Sequence, residues 1–173
     1  MPKPKPATPT IRPGSESDIP AIHRVHSAAI RGLCAGAYSP HLIEAWASNS
    51  DLNRYRRMFI SSARCLVAVA DGEVCGFGSL ELPRARLASL FVQPEYAGIG
   101  LGRLLLQALE QLAVEAGITT LNVQSSLNAR EFYARHGYRL CKMSTHCTSN
   151  GLEMDCAEMD KLLIAAPGPG ASQ

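Results

Sequence analysis

The segment RCLVAVADGEVCGFGSLEL, residues 64–82, limits the fold more than any other part of the chain. It holds two β-rich runs, 64–70 and 73–82, joined by Asp71-Gly72, a dipeptide that supplies the positive φ angles of a tight hairpin turn. Strands joined this way run antiparallel, so the sheet is not built from parallel βαβ units alone. A third strand, ARLASLFV, ends at Val92 and is closed by Pro94. PEYAGIGLGRLLL then sets Gly98, Gly100 and Gly102 at every second position and runs straight into a helix. That helix is amphipathic, with Leu101, Leu104, Leu105, Ala108, Leu109, Leu112 and Ala116 on one face and Arg103, Gln107, Glu110 and Glu115 on the other. Gly117 is placed to end it.

Upstream, a strand from Ile11 leads to a helix capped by Ser17, with Pro20 in its first turn and Ile19, Ile22, Val25, Ala29 and Ile30 along one face. Ser39 and Pro40 open a second helix, and Asp51 caps a third over LNRYRRMFI. Downstream, TTLNVQ reads as a strand and NAREFYARHG as a short helix ending at Gly137; GYRLCKMSTHC and LEMDCAEMDKLL form a closing hairpin through TSNG. The order predicts an α/β fold of the α+β kind, a mixed and mostly antiparallel sheet with helices on both faces.

A chain of 173 residues, 46% hydrophobic, suits one domain, expected over 11–164. The Pro- and Lys-rich residues 1–10 and the tail 165–173 read as disordered extensions. No apolar run reaches the ~20 residues of a membrane span and the start carries no leader pattern, which predicts a cytoplasmic location without a membrane partner. A net charge of +2, with no basic stripe interleaved with aromatics, argues against a nucleic-acid partner; the arginines at 54, 56 and 57 read as a solvated face. Six cysteines show no C-x-x-C pair. His23 and His26 stand three apart with no third ligand nearby, so no metal site is expected, and His136 and His146 read as structural.

A strand end, a glycine turn and a helix N-terminus together form an anion site, because unpaired N–H groups converge where the helix dipole is positive. A P-loop would need Lys and Ser or Thr where Arg103 and Leu104 stand. A dinucleotide fingerprint would need different glycine spacing after a parallel strand. A purely structural turn stays open on these residues alone.

LFVQPEYAGIGLGRLLLQALEQLAVEAG and AREFYARHGYRL together resemble the GCN5-related N-acetyltransferase (GNAT) superfamily, in its bacterial small-molecule form. Gly100 and Gly102 fill the glycines of its [QR]-x-x-G-x-[GA] loop; Ala129, Tyr133, Gly137 and Tyr138 fill A-x-x-x-Y-x-x-x-G-[FY]. The resemblance spans residues 11–163 in element order and is motif-specific over 90–140. It implies acetyl-CoA as acyl donor, with main-chain groups of Leu90, Phe91 and Val92 meeting the pantetheine arm. The amides of Ala97, Gly98, Ile99, Gly100, Leu101, Gly102 and Arg103 would hold the pyrophosphate. Ala97 stands where the family has Gln or Arg, and Ser126 where many members have Asn, a role open to Asn128.

The resemblance further implies direct acetyl transfer to a primary amine of a small molecule or peptide. Tyr133 would act as the acid for the departing thiolate. Residues 86–92 contain no carboxylate, which makes Glu81 the nearest acidic candidate for the base, beside a chain of water. Tyr38, His41 and Trp46 are the substrate-pocket candidates, although the helical neighbours of Trp46 also suit core packing. Met154, Met159, Leu162 and Leu163 read as core and as the face of a possible homodimer. The alternative is an acyl-CoA-binding module or sensor with weak catalysis.

Overall fold

The computed structural model describes residues 8–163, so residues 1–7 of the expected extension and the whole tail from 165 lie outside the described residues. β1 (Thr10–Pro13) leads to a capped turn that begins at Ser15 rather than at the expected Ser17. The reason is Asp18, whose carboxylate accepts the Ser15 N–H at 2.8 Å and two guanidinium bonds from Arg12 at 2.8 and 2.9 Å. Those Arg12 bonds hold its carboxyl down at about 2.

α1 (Ile19–Leu33) buries the expected stripe of Ile19, Ile22, Val25, Ala29 and Ile30. α2 (Pro40–Ala47) starts as expected, with Ser39 Oγ accepting the Leu42 N–H at 3.2 Å. Asp51 caps the next segment, accepting the Asn53 N–H at 3.0 Å, but Leu52–Phe59 winds as a 3-10 helix and not as an α-helix. Tyr55 is its one fully buried residue, and a segment that buries a single side chain gains little from a full α-helical face.

β2 (Ala63–Ala70) and β3 (Glu73–Glu81) form the hairpin, with φ of +52° at Asp71 and +79° at Gly72. β4 (Arg86–Val92) follows, then the glycine loop and α3 (Leu101–Glu115). α3 buries Leu101, Leu105, Leu106, Leu109 and Ala113, whereas Leu104 is 47% exposed and Ala116 faces out. The face is thus rotated from the one expected. Close approach to β3 explains it: a Cβ at Gly78 would lie 2.5 Å from Leu109 Cδ1, and one at Gly76 3.0 Å from Leu105 Cδ1. Leu105 and Leu109 therefore centre the contact, and the sheet receives Leu106 rather than Leu104. Gly117 ends the helix at φ +80°, its N–H bonding Val114 and that of Ile118 bonding Ala113.

β5 (Thr120–Ser126), α4 (Arg130–Arg135), β6 (Arg139–Cys147) and β7 (Glu153–Leu162) complete the chain. The seven strands form one sheet in the order β1-β2-β3-β4-β5-β7-β6. One face packs on α3 in the largest core; the other packs Val67, Val74 and Phe77 against Ile22 and Val25 of α1. Met154, Met159 and Leu163 are buried, while Leu162 is 66% exposed. No helix among the described residues is long and apolar enough to cross a membrane.

The functional consequence lies at the middle of the sheet. β4 and β5 are its one parallel pair and meet only at Arg86↔Asn122 and Leu87↔Val123. Beyond Leu87 they diverge. The β3–β4 register steps from Leu80↔Leu87 to Ser79↔Ser89, which leaves Ala88 as an extra residue that bends β4 away.

Candidate active site

The wedge between β4 and β5 opens into a cavity of about 510 Å³. Leu90, Phe91 and Val92 of β4 form one wall, and Ser126, Asn128 and Tyr133 the other; Ala97, Gly98, Gly100, Gly102 and Arg103 close one end. Ile99 and Leu101 do not line it: Ile99 is 58% exposed and Leu101 is core.

The loop earns its glycines at two positions. Gly98 has φ +75° and Gly100 φ +95°, a region costly for any residue with a Cβ. Their turn presents the amides of Gly98 through Arg103, none of which donates to an acceptor among the described residues. Of these, the N–H groups of Gly98, Gly100, Gly102 and Arg103 belong to residues that line the cavity, and at the start of a four-turn helix they form a concentrated anion cradle. This fits a diphosphate. The unpaired edge of β4 beside it, alternating donors and acceptors, fits an amide-bearing arm.

Tyr133 is 5% exposed, and its hydroxyl has no hydrogen-bond partner among the described residues. Burial raises its phenol well above the ordinary value, which keeps the proton on the oxygen. Tyr133 also lines a second cavity of about 200 Å³, together with His26, Tyr38, Trp46 and Ser89. A third, of about 380 Å³, shares His26, Trp46 and Ser89 with the second and extends to Arg54, Arg57, Glu81 and Arg86. Three cavities thus run in series across the open end of the sheet, and Tyr133 stands where the first meets the second.

Of the substrate-pocket candidates, Trp46 lines both the second cavity, the inner one, and the third, the outer one. Tyr38 lines the inner one, but its hydroxyl is committed to the backbone, donating to Asp155 O at 2.7 Å and accepting the Leu127 N–H at 2.9 Å. His41 is exposed and lines none of these cavities. Glu81 lies in the outer cavity, apart from Tyr133, with Arg86 donating to both its oxygens at 2.9 and 3.0 Å.

Sequence reasoning gave no site role to three residues that line these cavities. Arg54, half-buried, lines the outer cavity instead of a solvated face, and Arg57, although exposed, stands on its wall. His26 stands at the junction of the inner and outer cavities, partly reachable from them yet surrounded by protein atoms. Its Nδ1 is 2.9 Å from the Tyr55 hydroxyl, which also takes a bond from Arg54 at 2.6 Å. Burial, followed by the charge of Arg54, lowers the His26 pKa to about 3, so the ring is neutral at working pH. No spacing signal marked it, because only the pairing of α1 with a residue 29 positions away makes it special.

A neutral buried histidine makes stability depend on pH with a definite sign. Below about 6.5 the unfolded chain binds a proton that native His26 refuses, so stability is complete above that value and falls as pH drops toward 3. Between pH 7 and 5 this group removes about 2 kcal/mol. Urea denaturation at both pH values checks it: His26→Gln should flatten the pH dependence by about that amount. Parallel curves for the two proteins would sink the assignment.

Comparison with known proteins gives this geometry a family. The sequence profile of the Acetyltransferase (GNAT) domain matches residues 34–162. The uncharacterized N-acetyltransferase MJ1530 of Methanocaldococcus jannaschii is 38% identical over 109 residues, 60% of this chain and 69% of its own. The crystal structure of a GCN5-related N-acetyltransferase from Rhodopseudomonas palustris superposes with a TM-score of 0.82 at 34% identity, covering 92% of this chain and 98% of that one. The chain belongs to the GNAT family of N-acetyltransferases. The same fold is seen in the PaiA N-acetyltransferase from Thermoplasma acidophilum, solved in complex with coenzyme A, with a TM-score of 0.71 at 24% identity over 90% of this chain and 99% of that one.

Proposed function

We propose that this chain transfers an acetyl group from acetyl-CoA directly to the primary amine of a small molecule or peptide. One observation carries the reading: the cavity with the anion cradle and the cavity with Trp46 meet at Tyr133. In this reading the loop amides bind the diphosphate and the free edge of β4 takes the pantetheine arm. The acetyl thioester then lies at the junction. A neutral amine entering from the outer side attacks the carbonyl, and the tetrahedral oxyanion is stabilised by the main-chain N–H of Val92, which faces the free edge of β4, whereas that of Phe91 belongs to the β3–β4 ladder. Collapse expels the thiolate, to which Tyr133 donates its proton. A buried phenol is reluctant to lose that proton, but the thiolate forms in the same poorly solvated space, which raises its own proton affinity too.

The base remains outside the side chains of β4. With Glu81 bonded on both oxygens by Arg86, its proposed part is to hold that guanidinium in place, and the amine proton leaves through water in the open cavities. The test is thiol release from acetyl-CoA across a panel of amines. Acetyl-CoA binding with no release by any amine would leave the weakly catalytic acyl-CoA-binding module as the surviving reading.

A further inference from the structure

The outer cavity is cationic, and little on its wall neutralises it. Arg54, Arg57 and Arg86 line it, and Glu81 is the one acid among its lining residues. Glu81 is already bonded to Arg86, while Arg54 and Arg57 form no salt bridge among the described residues. Two donors there stand out. The Nε atoms of Arg54 and Arg86 are buried and lack any acceptor. Neither Nε is accessible from the cavity, so what each arginine offers a ligand there is its charge and its remaining N–H groups.

Both guanidinium groups are fixed by their other ends. Arg54 donates to the Tyr55 hydroxyl at 2.6 Å, with its guanidinium carbon 4.7 Å from the centre of that ring. Arg86 is held by the two oxygens of Glu81. Each guanidinium is therefore held in place before any ligand arrives, which lowers the entropy cost of binding one. The cavity, about 380 Å³, has the size of a small-molecule site.

Resting on the acetyltransferase reading above, we propose that the acceptor is a small amine that also carries an oxyanion, a carboxylate or a phosphate ester, bound by Arg54 and Arg86 with Arg57 at the cavity wall. Its amino group reaches through the inner cavity toward Tyr133. Charge makes the choice. A purely cationic amine or polyamine meets three arginines and one carboxylate, whereas an acidic substituent turns that repulsion into attraction. The same cations favour the neutral form of the amino group, which is the form that attacks.

Trp46 is the single tryptophan of the chain and lines both acceptor-side cavities, so its fluorescence reports their occupancy. Titrations use matched pairs, amino acids against their decarboxylated amines and aminoalkyl phosphates against the amino alcohols, with and without saturating coenzyme A. The acid-bearing member should bind at least about 10-fold more tightly. Arg54→Gln, and Arg57→Gln at an exposed position where folding is not at stake, should each narrow that advantage at least about threefold. Whichever acid wins identifies the oxyanion. Equal or tighter binding of the uncharged or cationic members overturns the proposal. Calorimetry with coenzyme A keeps the two readings apart: coenzyme A binding with acetylation of cationic amines alone sinks only the oxyanion, while failure of coenzyme A to bind sinks the donor site and leaves the coenzyme-free titrations to judge the arginines.

Discussion

Tyr133→Phe should lower kcat by about 100-fold while leaving acetyl-CoA affinity within about twofold, because a positioned acid is worth at least two orders of magnitude and binding does not need its proton. The ring is the reason the experiment is clean. Phenylalanine keeps the buried aromatic, with its edge contacts to Phe132 and Tyr138 at 5.2 and 5.3 Å, and removes only a hydroxyl that has no partner among the described residues. Folding stability should change little. Burial keeps the phenol protonated above its ordinary value, so titration of Tyr133 should not set the alkaline limb of the rate profile of the unmodified enzyme. Steady-state kinetics from pH 6 to 9, beside calorimetric titration of the donor, check both halves. An unchanged kcat in Tyr133→Phe would remove the residue from the chemistry and leave it a core tyrosine.

Gly100→Glu should weaken acetyl-CoA binding by about 100-fold or more, through two costs that a control separates. Gly100 caps α3 at φ +95°, and any Cβ there meets backbone strain of about 1 to 2 kcal/mol although no protein atom lies within 4 Å of it. Glutamate adds a carboxylate beside the amides of Gly98 through Arg103 and competes with the phosphates for them. Gly100→Ala carries the strain alone and should lose about 10-fold. Equilibrium titration with acetyl-CoA reads the difference. If Gly100→Glu binds as tightly as the unmodified chain, the loop holds no phosphate. If alanine and glutamate lose equally, the loop's shape matters and its positive potential does not.

Most of the framework was legible because it is written in local terms. Asp71-Gly72 needs only four residues to specify a reversal, and Gly117 needs only the last turn of a helix. The loop and Tyr133 were found together because two short motifs hold a fixed separation. What stayed hidden depends on partners far apart in the chain. The run Leu104-Leu105-Leu106 offers an apolar side chain at every angle, so helical period alone cannot say which leucine faces out; glycines in β3 decide it. Ser15 outranks Ser17 as the cap because Asp18 also binds Arg12, a residue of the preceding strand. The insertion of β7 between β5 and β6 cannot be read from a hairpin, since a hairpin says which strands are neighbours and not which one lies inside.

The candidate site follows the same division. The cavity proposed for the donor takes one wall and one end from contiguous residues, β4 and its loop, which a single motif names together. The outer cavity draws on α1, α2, the 3-10 segment and β2, β3, β4 and β6, each contributing one to four residues, and no spacing connects Arg54 to Arg86 or His26 to His146. Arginines grouped as 54, 56 and 57 look like surface in sequence. Only the stacking of Arg54 on Tyr55, whose ring is buried against α1, turns one of them inward.

The early parting of β4 and β5 gives this single sheet four unpaired margins instead of two. Exposed margins invite strands of other molecules, and the outer two carry the usual deterrents: β1 runs only four residues and stops at Pro13, while β6 bears Arg139 and Lys142. The inner two need no such protection. They face each other across a slot walled by Ala29 and Leu33 of α1 and by Phe132 and Tyr133 of α4, too confined for a strand that brings its own sheet along. A thin, flexible chain with no neighbours of its own still fits, so the slot that discourages aggregation also selects what it admits.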